Sequence, residues 1–191
     1  MKSNPLRGRA GFTLIELMAV IVIIVILATL VVGGMNVVQN KQAESKAQVQ
    51  VKLLEKSIEE YKLDMGKYPG IVENTPASGD KVTKELYQAL YYEGYTAQNS
   101  GGTVADGAAA KIYLNELDPI TSKQGWVTTT TSSTPPSSTI IKDPWGTEFR
   151  YRKGSNAQNP DFDIWSCGRN QKTDANSAAK TGDNKDDIRN F

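Results

Sequence analysis

The chain of 191 residues contains no histidine. That absence removes histidine general acid–base chemistry, Ser–His and Cys–His nucleophile pairs and imidazole metal sites together. A single cysteine, Cys167, excludes an intramolecular disulfide framework. Charge of one sign is also lacking: 22 Lys and Arg stand against 21 Asp and Glu, a net +1. Whole-chain electrostatics therefore argue neither for nucleic acid as a primary partner nor for acidic substrates. No nucleophile–base set, phosphate-cradling glycine loop or catalytic carboxylate pair stands out, so the chain reads as a non-enzyme. The mean hydropathy of −0.43 hides an uneven distribution, with apolar residues crowded near the N-terminus and a polar tail.

What is present begins with "MKSNPLRGRAG", a basic leader carrying Lys2, Arg7 and Arg9. From Phe12 to Met35 the only ionisable residue is Glu16. About 20 apolar residues in a helix cross the ~30 Å hydrocarbon core, so this stretch is long enough for a membrane span. The basic leader keeps the N-terminus cytoplasmic by the positive-inside rule. A secretory signal peptide has a shorter apolar run, of about 7–15 residues, and a small-x-small cleavage site after it. A plain signal anchor leaves Glu16 unexplained, because a carboxylate inside a span is costly and usually marks function.

"G-F-T-L-I-E" behind a short basic leader resembles the class III signal of type IV pilins and type II secretion pseudopilins. The resemblance implies that a prepilin peptidase cuts between Gly11 and Phe12 and N-methylates Phe12. The apolar helix then stays in the mature protein. It also implies a partner for Glu16: the new amine of a neighbouring subunit, paired as helices bundle into a filament. Such a polar pair inside an apolar bundle sets register. Relatives often carry proline where this chain has Gly33; the Gly33–Gly34 pair still loosens a helix, since glycine costs about 1 kcal/mol against alanine.

Beyond the span, Ala47, Val51, Leu54, Ile58, Tyr61 and Met65 recur at helical spacing. They predict an amphipathic stem whose stripe packs on a sheet. Gly66 suits the C-terminal cap and Pro69 forbids continuation. The end of this stem, "Y-K-L-D-M-G-K-Y-P", resembles the major pseudopilin pattern; Asp64 and Tyr68 are read as structural. Residues 83–95 predict a short helix using Leu86, Leu90 and Tyr91. Residues 99–110 predict a loop, and 111–117 an extended segment or one helical turn. The Ser/Thr/Pro-rich stretch 128–139 predicts a flexible surface loop that does not pack.

A turn at Asp143–Gly146 precedes a half-buried strand, with Phe149 and Tyr151 inward and Glu148, Arg150 and Arg152 facing away. "DFDIWSCG" predicts a second strand, with Phe162 and Ile164 on one face and Trp165 on the other, and Cys167 as a small buried filler. "D-P-W-G", "F-x-Y" and "F-D-I-W-S" again resemble the major pseudopilin C-terminal domain. The fold implied is α+β, of type IV pilin-like form: a long N-terminal helix on a small C-terminal antiparallel sheet.

The tail from Cys167 is rich in Asp and Asn and lacks hydrophobic periodicity. Such oxygen-rich loops suit Ca²⁺, although the spacing is not that of an EF-hand; composition alone fits a disordered polar tail as well. Major pseudopilins bind calcium here, and "S-C-G-R-N" with "D-D-I-R-N-F" matches the ends of their loop. The resemblance implies Asn170, Asp186 and Asp187 as side-chain ligands, with carbonyls near Cys167 and Lys172. Asn170 stands where the family has an aspartate, which lowers the affinity unless Asp183 or Asp174 contributes.

The expected organisation is thus a leader 1–11, a transmembrane or filament-core helix 12–36, a stem 37–66 and a globular domain 67–191. The last comprises a variable middle, 71–140, and a C-terminal sheet with an acidic loop, 141–191. The function implied is a structural subunit of a periplasmic pseudopilus of a type II secretion system. Expected partners are copies of itself, the prepilin peptidase, an inner-membrane assembly platform, minor pseudopilins and the membrane. The alternative is a type IV pilin, major or minor, of an extracellular fibre for adhesion, motility or DNA uptake. Many such pilins close the C-terminal loop with a disulfide, which one cysteine cannot form.

Overall fold

The computed structural model describes residues 11–70, 79–99, 111–121, 124–154, 157–174, 177 and 179–191; the side chains of 30–36 and 79–82 are outside this description. Helix α1 is Leu14–Met65, 52 residues without a break through Gly33 and Gly34. The chain divides into two compact units, Met1–Lys41 and Gln42–Phe191. In the first, the apolar residues from Phe12 to Leu27 are exposed. Among the described residues no helix is long and apolar enough to cross a membrane; the expected span 12–36 takes in 30–36, outside the described side chains. Most of the expected leader, and most of the expected loop 99–110, are also outside it.

In the second unit the stem stripe is the floor of the core. Ala47, Val51, Leu54, Ile58 and Tyr61 are buried and Met65 is partly buried against them. Residues three and four apart share one helical face, so a single apolar stripe is enough to bury a stem. Each fully buried Leu or Ile contributes about 1.5–3 kcal/mol. The helix stops where glycine allows it: Gly66 has φ +70°, and its N–H donates to the Lys62 carbonyl at 2.8 Å.

The predicted helix 83–95 is longer and interrupted. Helix α2 is Gly79–Tyr87, a π-turn covers Gln88–Tyr92, and α3 is Glu93–Asn99. The wide turn leaves the Leu90 carbonyl to accept from Tyr113 N–H at 2.9 Å and Leu114 N–H at 3.2 Å. Chain 111–117 is thereby docked on the helix and ends in a 3₁₀ turn, Asn115–Leu117. Gly94 permits this approach: a Cβ there would sit 2.4 Å from the Lys111 carbonyl carbon and 2.6 Å from Ile112 N.

The Ser/Thr/Pro stretch 128–139 does pack, contrary to expectation. Most of it is exposed, but Pro135 and Thr139 are buried. The Tyr95 hydroxyl donates to the Ser133 carbonyl and Gln88 Nε2 to the Ser137 carbonyl, both at 3.2 Å. Its low hydrophobicity is offset because the tyrosine-rich helix offers it donors. Just before it, Trp126 and Val127 are core residues.

Strands β1 (Arg150–Lys153), β2 (Phe162–Ser166) and β3 (Ile188–Arg189) form an antiparallel sheet in the order β1-β2-β3. Tyr151 pairs with Ile164 and Trp165 with both Arg150 and Arg189. Phe149, Tyr151, Phe162 and Ile164 join the stem residues in one core. The third strand comes from the tail that sequence alone assigned to a loop. The outer face of β1 also differs from expectation: Arg152 is buried, because Asp163 neutralises it at 2.5 Å and Trp165 and Phe191 cover it at 5.1 and 5.6 Å. A guanidinium survives burial when it is paired and its flat faces are stacked.

Candidate functional site

Two places carry the residues singled out from the sequence. The first is the N-terminal junction. Gly11 and Phe12 are exposed ahead of α1, and nothing lies within 4 Å of a Cβ built on Gly11. Glu16 is in the first turn. The Thr13 N–H donates to Glu16 Oε2 at 2.9 Å, the Thr13 hydroxyl to the same oxygen at 3.0 Å, and Glu16 N–H returns to Thr13 Oγ1 at 3.3 Å. This is a reciprocal capping box, which satisfies helix-end donors that have no carbonyl partner of their own. Thr13 was not singled out from the sequence, although T-x-x-E ahead of an apolar run is the signal that finds it.

The second place is the C-terminal loop, which is folded. Asn184 is its hub, buried to 1% exposure. Its Oδ1 accepts from Asp174 N–H at 2.5 Å, and its Nδ2 donates to the carbonyls of Asp174 and Ser177, both at 3.0 Å. Asn170 and Asp186 meet through the Asn170 N–H, 2.8 Å from Asp186 Oδ2. The Asn170 amide is engaged locally, its Oδ1 accepting from Lys172 N–H at 2.8 Å and its Nδ2 donating to the Asp183 carbonyl at 2.7 Å. Asp183 itself is exposed and meets this network through its backbone. Gly168, at φ +64°, is required where the loop doubles back, since a Cβ would fall 2.2 Å from the Asp186 carbonyl oxygen.

Asp187 is 3% exposed. Its Oδ2 accepts from the Thr173 hydroxyl at 2.8 Å and from Arg189 at 2.9 Å. Burial pushes its carboxyl up from the ordinary value, against the lowering by Thr173 and Arg189. The Oδ1 atoms of both Asp186 and Asp187 are shut from solvent without a hydrogen-bond partner. Buried carboxylate oxygens left in that state are costly, and a hard cation is one group that satisfies them. Among the described residues, no three His, Cys, Asp or Glu side chains converge to hold a metal. An ion here would depend on these two carboxylates and on amide and backbone oxygens. Asn184, Thr173 and Arg189 were not picked out in advance; nothing in a polar run of this kind marks the residue that becomes its centre.

Nearby, the Ser166 hydroxyl donates to Asp143 Oδ2 at 2.6 Å, while Asp143 Oδ1 accepts from Trp145 and Thr147 N–H at 3.1 and 2.8 Å. Burial raises the Asp143 carboxyl and likewise the Cys167 thiol. Cys167 is buried, as the expected filler.

The family described as the prokaryotic N-terminal methylation motif matches residues 6–32. The family described as "Type II secretion system (T2SS), protein G" matches residues 118–189. Among curated proteins, the chain is 38% identical over 88 residues to type II secretion system core protein G of Aeromonas hydrophila, covering 46% of this chain and 62% of that one. The protein of the same name from Klebsiella pneumoniae is 36% identical over 91 residues, covering 47% and 64%. That from Escherichia coli K12 is 46% identical over 59 residues, covering 31% and 41%. The matches thus span less than two thirds of these relatives' lengths. No solved structure matches the chain. The chain thus pairs a match to the N-terminal methylation motif at one end with a match to the type II secretion system protein G domain at the other, and its long helix and small antiparallel sheet are consistent with that similarity.

Proposed function

We propose that the chain is a structural subunit of a periplasmic pseudopilus in a type II secretion system, polymerising through α1 to drive export of folded proteins. The carrying observation is that the methylation-motif match, residues 6–32, contains a long run of exposed apolar residues, Phe12 to Leu27. An exposed apolar surface of that extent needs lipid or other helices to cover it. In this reading the peptidase cuts after Gly11 and methylates Phe12, the chain crosses the inner membrane once, and its C-terminal domain lies in the periplasm. The assembly platform and minor pseudopilins are its partners beside its own copies. It does no catalysis. The Glu16 carboxylate pairs with the Phe12 amine of a neighbouring subunit; both capping bonds fall on Oε2, which leaves Oε1 to accept from that partner with the cap intact.

Calcium belongs to the same proposal. Asp186, Asp187 and Asn170 hold it, with Asp183 as a supplementary donor, and it ties down a loop with little apolar surface to bury. The two unpartnered buried carboxylate oxygens support this reading. A type IV pilin of an extracellular fibre is the second reading; the single cysteine disfavours it.

The test uses two variants in the host. Gly11→Trp leaves an unprocessed chain, and Glu16→Val leaves a processed, inserted chain that does not assemble. Both abolish secretion. Normal filaments from Glu16→Val overturn the pairing, and cleavage at Phe12 in Gly11→Trp overturns the processing. Secretion left intact while surface fibres are lost favours the type IV pilin.

A further inference from the structure

The calcium reading gives no role to Arg189, the buried cation at the end of the loop. Arg189 lies on β3, opposite Trp165. Its side chain is 2% exposed and that of Asp187 is 0% exposed, with the two 2.9 Å apart. The Phe191 ring lies 5.2 Å from the Arg189 guanidinium and 5.6 Å from that of Arg152. Trp165 meets the same ring edge-on at 5.8 Å. Arg189 is therefore held in place by a strand, an aromatic ring and a carboxylate; it is not a loose surface charge. A guanidinium is always protonated and is the most weakly hydrated of the cationic side chains, so it tolerates such a site.

We propose that Arg189 is a built-in counter-cation for the C-terminal loop: it neutralises Asp187 from inside the fold, lets the loop close without a metal, and lowers the loop's affinity for Ca²⁺. The inference rests on the calcium reading above. Its logic is charge count. A calcium loop draws affinity from the negative charge around the ion. Here Asn170 supplies an amide in place of a carboxylate, and Arg189 places a positive charge against one of the remaining two acids. The same positive charge does part of the ion's structural work, because an unpaired buried carboxylate would otherwise oppose closure. Arg189 thus sets how far this loop depends on calcium.

The test is calcium binding by calorimetry on the full chain in detergent, after chelator treatment, together with melting in chelator and in calcium. Wild type is compared with Arg189→Gln and with Lys185→Gln, which removes the same charge from an exposed position. Arg189→Gln should bind calcium about tenfold more tightly or better, as removal of a fixed cation beside a ligand demands. Lys185→Gln should stay within about threefold, its charge being screened by water. In chelator Arg189→Gln should melt well below wild type, and calcium should restore it. Equal or weaker calcium binding by Arg189→Gln overturns the inference, as does failure of that variant to fold even in calcium. Absence of binding by wild type and both variants overturns the calcium reading itself, a result distinct from wild-type binding that the substitution leaves unchanged.

Discussion

The pair Arg152–Asp163, between β1 and β2, is buried on both sides. Arg152 Nε is 2.5 Å from Asp163 Oδ2, with the side chains 5% and 0% exposed. Asp163 also accepts from Gln158 N–H at 2.8 Å and Asn159 N–H at 2.9 Å, so it joins β2 to the turn before it. Arg152→Met keeps the bulk against Trp165 and Phe191 but leaves a buried carboxylate with two amide donors and no counter-charge. Breaking a buried pair from one side costs about 3–5 kcal/mol, a large share of the ~5–15 kcal/mol that holds a typical domain together. Asp163→Asn should cost about as much, because it strands the cation instead. The double variant removes both charges and should cost no more than the worse single one, a coupling of about 2 kcal/mol or more. Urea unfolding of the full chain in detergent, followed by tryptophan fluorescence, measures all four corners. A loss under about 1 kcal/mol for Arg152→Met, or costs that simply add, would refute the argument that pairing is what makes this burial tolerable.

Two further perturbations follow from the geometry. Gly94→Ala sets a methyl against the Lys111–Ile112 backbone and should destabilise by about 1–3 kcal/mol; an unchanged urea midpoint would show that the 111–117 segment moves aside freely. Asp143 has its folded-state value raised by burial above 3.8, so the folded chain holds this proton to higher pH than the unfolded one. Its contribution is therefore most favourable below the unfolded value and declines as pH rises through the folded one. The stability of wild type relative to Asp143→Asn should fall as pH rises from below the ordinary carboxylate value through the raised folded one, and a flat or rising difference would contradict the assignment.

Much of the architecture is legible in local pattern. The stem stripe from Ala47 to Met65 is a helical period, and its burial follows from that period with little reference to the rest of the chain. The cap at Gly66, the turn at Asp143–Gly146 and the inward faces of Phe149, Tyr151, Phe162 and Ile164 are equally local. So is the junction Gly11–Phe12 with Glu16, where leader, spacing and apolar run share one short segment. Contacts between distant segments are another matter. Arg152 faces away from the core by alternation, yet it is buried, because Asp163, Trp165 and the C-terminal Phe191 reach it from elsewhere in the chain. The 128–139 stretch has no apolar pattern of its own and is held by Gln88 and Tyr95. The polar tail contains neither a hydrophobic strand nor a turn signal that marks Asn184 as its hub, and β3 exists only because β2 offers it a free edge. Sequence alone determines what a local period or a short motif encodes; only the tertiary structure decides which polar groups are buried, because their cost depends on partners that the chain supplies from far away.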